Sequence, residues 1–557
     1  MAETRTRVIT VAFFWYLLSV LGPRSGPPGF ERFNRWATRR FTAWQLSILT
    51  LVGYYVVRNI DAILNLHPKL ARHKIYEPRF ETAVTIMTAM TAGFMTAKSM
   101  RPKFIRDLAS LVFAGYYIFT PDHAMEKVRK FNENPSVEGI RTSFEIMDNP
   151  YLDFIGGLMR PRLRGAQGMV FYVPRPKSSV YLAPVELELW YDKPLTELKS
   201  EKKIIFHIHG GGFISNTPRL HADSLTAWAR QTQLPIIAIN YRRAPEYPFP
   251  YAVDECFDAY TAMVESRGLC FGVKSKVPPR VVITGDSAGG NFSAVLMIKI
   301  IMSGNKALRD PVDALVLTYP ALDLSPVGCY GEREMEFFRQ EAGDDRDTGI
   351  FETRTEVVDL YKSGVHPVSM EHLVVAGTPY VDVNKNTPLS LSSRVLFMSD
   401  RVIPAEGLYV MVIMYIGTDR GIDFHNDPLV SPLWASDELL AQFPRCYVTC
   451  GTCDPLVDDT VIFTSRLRNA RRAKNPKLNI TEDIIRTRLV KGVSHGFLQF
   501  DTIYPETKSI YKMIGSWFLD AFERSEQESR LTVQEYREIL DTPKVDTYRY
   551  NNPFPGY

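Results

Sequence analysis

The hexapeptide Gly285-Asp286-Ser287-Ala288-Gly289-Gly290 sets a serine among small residues, after the apolar run Arg280 to Thr284 and before the helix-like stretch Asn291 to Met297. A strand that turns so sharply into a helix holds its central residue in strained geometry and lifts the side chain above the sheet edge. A serine hydroxyl attacks a carbonyl only when a base takes its proton, and the base needs a carboxylate to fix its tautomer and steady its positive charge. Two later strand ends supply both groups. The run Cys446 to Cys450 leads into Gly451-Thr452-Cys453-Asp454-Pro455-Leu456, and Arg486 to Val490 leads into Gly492-Val493-Ser494-His495-Gly496-Phe497. The chain order Ser287, Asp454, His495 is the order expected when nucleophile, acid and base sit on successive strand ends of one sheet. Asp458 and Asp459 compete with Asp454 for the acid position, but their place at the start of a helix suits charges favoured by its dipole.

Attack on an ester carbonyl creates an oxyanion, which needs N–H donors already in place. His209-Gly210-Gly211-Gly212-Phe213 follows the apolar run Lys203 to Ile208, and consecutive glycines let backbone amides approach a small anion without a Cβ in the way. Gly210, Gly211 and the amide of Ala288 are the expected donors. His207 and His209 are spaced like metal ligands, yet no third ligand accompanies them, so no metal is expected there and His209 is read as a brace for the glycine loop.

The elements that must position these residues are short apolar runs separated by Gly/Pro turns and amphipathic stretches: Met169 to Val173, Leu187 to Tyr191, Lys203 to Ile208, Pro235 to Asn240, Arg280 to Thr284, Ala314 to Tyr319, Cys446 to Cys450 and Arg486 to Val490. Runs such as Ile204-Ile205-Phe206 and Val281-Val282-Ile283 lack alternation, as strands buried on both faces do. The expected class is therefore α/β, a mostly parallel central sheet flanked by helices, with chemistry at the carboxyl ends of the strands. A chain of 557 residues with 45% hydrophobic, 12% aromatic and 23% charged residues excludes a mostly disordered or fibrous protein, and a net charge of +4 gives no sign of a nucleic-acid partner.

Taken together, the HGGG run at 209–212, GDSAGG at 285–290, Asp454-Pro455-Leu456 and Ser494-His495-Gly496-Phe497 resemble the hormone-sensitive-lipase branch of the α/β-hydrolases, as does Tyr241-Arg242-Arg243-Ala244-Pro245-Glu246-Tyr247-Pro248-Phe249-Pro250, where Arg243 replaces the usual leucine. The resemblance spans about residues 165–525. It implies an α/β-hydrolase fold, hydrolysis of carboxylic esters from short acyl esters to acylglycerols and steryl esters, and no cofactor. By it, Ser287 is the nucleophile, His495 the base and then acid, and Asp454 the orienting carboxylate. A neutral-lipid lipase is the leading expectation. A membrane-anchored short-chain esterase or steryl or aryl deacetylase is the alternative within enzymes, and a ligand receptor that has lost catalysis is the alternative outside them.

Four apolar segments precede this body: Val8 to Leu21, Phe41 to Val57, Thr82 to Ala97 and Leu108 to Phe119. Residues 1–130 hold 19 Lys/Arg against 8 Asp/Glu, which leaves the rest of the chain net negative. Only Phe41 to Val57 approaches the length of a membrane-spanning helix. Residues 1–130 are expected to tether the body to a membrane or lipid-droplet surface, at the cytosolic face of the endoplasmic reticulum or on a droplet; the competing expectation is a set of buried cap helices. Residues 131–164 connect this region to a catalytic domain at 165–525, which carries an insertion at 325–400 read as a lid or regulatory arm. Residues 526–557 form a charged tail. The cysteines are read as buried thiols of a reducing compartment, and oligomeric state is left open.

Overall fold

The computed structural model describes residues 76–132, 149–151, 156–157, 160–325, 393–394, 397, 400–403, 405–417, 427–475 and 484–530. The first two apolar segments, most of the connection at 131–164, most of the insertion and nearly all of the tail lie outside these residues.

Eight described strands, β1 (Ala166–Val173), β2 (Val185–Tyr191), β3 (Lys203–Ile208), β4 (Ile236–Ile239), β5 (Arg280–Asp286), β6 (Val312–Thr318), β7 (Arg445–Gly451) and β8 (Ile485–Val490), form one sheet in the order β1-β2-β4-β3-β5-β6-β7-β8. The pairs β1/β2 and β2/β4 are antiparallel, and every pair from β4 onward is parallel. Each of the eight runs expected from the sequence becomes a strand, with ends shifted by a few residues at most. The central ones are buried on both faces, since all seven residues of β6 and five of the six in β3 are buried. Parallel strands need crossovers, and the intervening helices supply them while covering both faces.

The helices that bear on the site are α1 (Pro78–Ala97), α2 (Lys103–Ile118), α3 (Pro121–Asn132), α4 (Ala222–Thr232), α5 (Tyr251–Glu265), α6 (Ala288–Met302), α7 (Ala405–Ile416), α8 (Val457–Lys474) and α9 (Thr507–Arg530). Period-two alternation divides the sheet side chains between two layers. Ile204, Phe206, Ile208, Val281, Ile283, Leu315 and Leu317 join the core beneath α5, α6 and α8. On the other face His207 meets Trp228 of α4, and Trp228 packs edge-on to Phe518 of α9.

The appendage expected at residues 1–130 divides differently. The compact unit that holds the sheet begins at Tyr76, so α1 and α2 belong to it. Pro78 opens α1, where a missing N–H costs nothing, and the Glu77 side chain caps the helix by accepting from Arg79 N at 3.1 Å. Phe80 is fully buried, with ring centroids 5.1 Å from Phe500 and 5.3 Å from Tyr504, and Glu77 N donates to Gly492 O at 2.7 Å. At the far end α1 meets α2 backbone to backbone: a Cβ on Gly93 would fall 2.5 Å from Ala114 N. Among the described residues, no helix is long and apolar enough to cross a membrane.

Because Phe80 fills a closed aromatic pocket, Phe80→Ala should lower stability by about 3–5 kcal/mol in chemical denaturation. A loss below about 1 kcal/mol would mean that α1 only rests on the body.

Candidate active site

Ser287 lies between β5 and α6 with φ 54° and ψ −119°, a conformation that L-residues avoid. The sequence reaches it because the glycines two and three positions away have no side chain to place. A Cβ on Gly285 would stand 2.2 Å from Gly289 O, one on Gly289 would stand 2.0 Å from Ile208 O, and one on Gly290 would meet Pro320 at 2.7 Å. Three backbone hydrogen bonds hold the turn: Ser287 N to Thr318 O at 3.0 Å, Asn291 N to Ser287 O at 3.1 Å and Ala321 N to Ser287 O at 3.2 Å. Asn291, part of a glycosylation sequon, is fully buried, and its Nδ2 donates to Ala321 O at 2.8 Å and to Val430 O at 3.0 Å.

The three residues expected to act together do meet. His495 Nε2 lies 2.8 Å from Ser287 Oγ, and His495 Nδ1 lies 3.0 Å from Asp454 Oδ2. Asp454 is fully buried just beyond β7, and its other oxygen accepts Leu456 N at 2.8 Å. Burial alone would push the imidazole pKa down, but the carboxylate of Asp454, through its charge and hydrogen bond, with Asp400 and Asp286 behind it, raises it above the usual histidine value. The competing acids are engaged elsewhere. Asp458 accepts Ser393 N at 2.7 Å, while Asp459 accepts the amides of Leu322 and Asp323 and pairs with Arg394 at 3.1 Å. Both occupy the first turn of α8, as the dipole argument expects; burial pushes the Asp459 carboxyl up to about 7.

One expected oxyanion donor is displaced. Gly210 N donates to Asp286 Oδ1 at 3.0 Å, so that amide is spent on a buried carboxylate behind the loop. Burial would raise the pKa of Asp286, but the adjoining His221, 3.1 Å away, and the Gly210 amide hold it well below the usual carboxylate range, and Asp286 in turn raises that of His221. The chain reverses at Gly211 (φ 131°) and Gly212 (φ 58°), and Gly212, Phe213, Ser287 and Ala288 line one cleft together. Gly212 therefore replaces Gly210 in the candidate donor set with Gly211 and Ala288. Three consecutive glycines gave no means of telling which amide faces which way; the acidic Asp286 inside the GDSAGG motif was the available clue. His209 does brace the loop, with Nδ1 2.7 Å from Gly210 O and its ring stacked 4.2 Å from Tyr241. Burial lowers the pKa of His207 to about 3, and among the described residues no cluster of His, Cys, Asp and Glu is fit to hold a metal.

The cleft above Ser287 is partly open to solvent and is lined by Leu324, Ile403, Leu408, Met411, Val412 and Leu456, with Asp323, Ser325 and Arg394 at the same cleft. Leu408, Met411 and Val412 come from α7, an element the sequence reading left inside unassigned chain. The described cysteines are free thiols, and those on β7 are buried.

A nucleophile elbow on a mostly parallel sheet, with acid and base at later strand ends, defines an α/β-hydrolase. The model of the family described as alpha/beta hydrolase fold matches residues 205–353 and 359–498, more than half of the chain. The chain belongs to that family, on the branch that includes hormone-sensitive lipase and arylacetamide deacetylase. Human hormone-sensitive lipase is 39% identical over 140 residues, 25% of this chain and 12% of the lipase. An Acinetobacter venetianus esterase is 32% identical over 149 residues, 26% of this chain and 46% of the esterase. Rabbit arylacetamide deacetylase is 27% identical over 287 residues, 50% of this chain and 66% of the deacetylase. The matches thus span between an eighth and two thirds of these relatives.

The two acids can be separated by the rate at which an organophosphorus probe labels the serine. Asp454→Asn should slow labelling of Ser287 by about 10³- to 10⁴-fold, because His495 loses the group that fixes its tautomer. Asp458→Asn should stay within about 10-fold; the reverse ranking would reassign the acid.

Proposed function

We propose that this chain is a carboxylic ester hydrolase working through an acyl-enzyme. The observation that carries the reading is the contact of His495 Nε2 with Ser287 Oγ at 2.8 Å, backed on the other ring nitrogen by a buried Asp454. His495 takes the Ser287 proton as Oγ attacks the ester carbonyl, and Asp454 steadies the resulting imidazolium. Gly211, Gly212 and Ala288 supply amides to the oxyanion. His495 then protonates the leaving alcohol, and water, activated by the same histidine, releases the acid. A complete base in contact with the serine favours this reading over a ligand receptor on the same fold.

The proposed substrates are esters of neutral lipids, acylglycerols or steryl esters. The aliphatic wall from Leu324, Ile403, Leu408, Met411, Val412 and Leu456 supports an apolar acyl chain beside Ser287, and the lipase relative points the same way. A short-chain esterase or deacetylase is the second reading, favoured by the longer match to the deacetylase. Attachment to a membrane or lipid droplet through the N-terminal region, at the endoplasmic reticulum or on a droplet, remains part of the proposal. It is supported by the outward face of α2, where Phe104 is 62% and Val112 68% exposed, alongside Leu108 and Tyr116.

Purified full-length protein should hydrolyse an emulsified long-chain acylglycerol, and Ser287→Ala should remove nearly all of that turnover, leaving about 10³- to 10⁴-fold over water at most. Turnover of a soluble short-chain ester alone would select the second reading; activity undiminished in Ser287→Ala would reject the mechanism. Since the base works unprotonated and its pKa is raised, kcat/KM should climb with pH to a midpoint above about 6.5. A midpoint below that value would contradict the electrostatics of the site.

A further inference from the structure

Behind the histidine loop lies another buried carboxylate, brought there by the returning end of the insertion. Ser494, the residue before His495, donates from Oγ to Asp400 Oδ1 at 2.6 Å. The same oxygen accepts the Tyr76 phenol, from just ahead of α1. Asp400 Oδ2 accepts the amides of Val402 at 3.1 Å and Ile403 at 2.7 Å. Asp400 is 3% exposed, so its bonds are not shared with bulk water. Burial raises its carboxyl pKa, and the bonds from Ser494, Tyr76 and Ile403 oppose that rise.

The surroundings are as follows. Asp454 and Asp286 face His495 together with Asp400, and the Tyr319 ring lies 4.7 Å from the imidazole. Around Asp400 stand Asp454, Cys453 and Arg401; the Arg401 amide donates to Tyr76 Oη at 3.1 Å, and its guanidinium pairs with Glu81 of α1. With Glu77 N bound to Gly492 O, the histidine loop is held at Gly492 and at Ser494, and both restraints run to the segment that opens α1.

Resting on the serine mechanism proposed above, we infer that Asp400 is a positioning residue for His495: through Ser494 it fixes the loop that aims the imidazole, and its negative charge favours the imidazolium formed when His495 takes the serine proton. Tyr76 is the strut that holds Asp400 in place. The N-terminal segment thereby becomes a working part of the catalytic apparatus.

The test is the pH profile of kcat/KM for a soluble ester, measured on the full-length chain and on Asp400→Asn and Ser494→Ala. Asparagine keeps the bonds and deletes the charge: its carbonyl accepts the amides of Val402 and Ile403, and its NH2 faces two hydroxyls able to turn and accept. Losing a nearby anion destabilises the imidazolium, so the rising limb should move toward lower pH by about 0.5–1 unit, with KM within about twofold. A folded Asp400→Asn whose limb stays at the wild-type position overturns the inference, because a carboxylate serving the fold alone shifts the melting temperature and leaves the limb in place. Ser494→Ala keeps the charge and cuts the link. It should lower kcat by about 3- to 10-fold with the limb unmoved, and it carries the test if Asp400→Asn does not fold; wild-type kcat there also overturns the inference. Turnover persisting in a parallel Ser287→Ala sample would instead fault the serine mechanism.

Discussion

A residue in a conformation that costs of order 1–3 kcal/mol persists only where its surroundings leave it no alternative. At Ser287 those surroundings come from the ends of three strands and the chain that follows them. Thr318 at the end of β6 takes its amide, Ala321 donates to its carbonyl, Ile208 at the end of β3 abuts Gly289, and Pro320 abuts Gly290. The parallel registry of β3, β5 and β6 sets these strand ends side by side, and no side chain larger than hydrogen fits where they converge. The histidine and its acid are then positioned by β7 and β8, the next two strands outward.

A second set of charges lies under the first and organises the glycine loop. Asp286 gives one carboxylate to the Gly210 amide and to His221, and Gln499 reaches it from beyond β8 at 3.4 Å. Because Asp286 immediately precedes Ser287, the glycine loop and the turn that carries Ser287 are coupled through a single side chain. A buried carboxylate with an imidazole partner and a backbone donor is well satisfied, and removing either partner would leave it short of a hydrogen bond in a buried site.

The sheet was legible because buried parallel strands leave unbroken apolar runs, and the grouping of Ser287, Asp454 and His495 because each follows such a run among small neighbours. What escaped was decided by tertiary direction. The orientation of Gly210 rests on Asp286, next to the nucleophile rather than in the glycine run. Asp400 belongs to no motif; it acquires meaning only when the chain returns from the insertion beside Ser494. For α1, an apolar helical face reads the same whether protein or lipid covers it, so residues 82–97 gave no sign that Phe80, just outside that segment, would lock into aromatic rings near the C-terminal helix.

The buried amide of Asn291 has a bearing on how this chain can vary. Its two hydrogen bonds grip Ala321, just ahead of the insertion, and Val430, in the segment beyond α7. With both ends clasped by one side chain, the closure that a longer or shorter excursion must satisfy is already fixed. The entropic penalty of lengthening a flexible loop grows only logarithmically, by about 0.6 kcal/mol for each doubling. A change of length within the insertion would therefore leave the two backbone points that Asn291 holds beside the elbow in place.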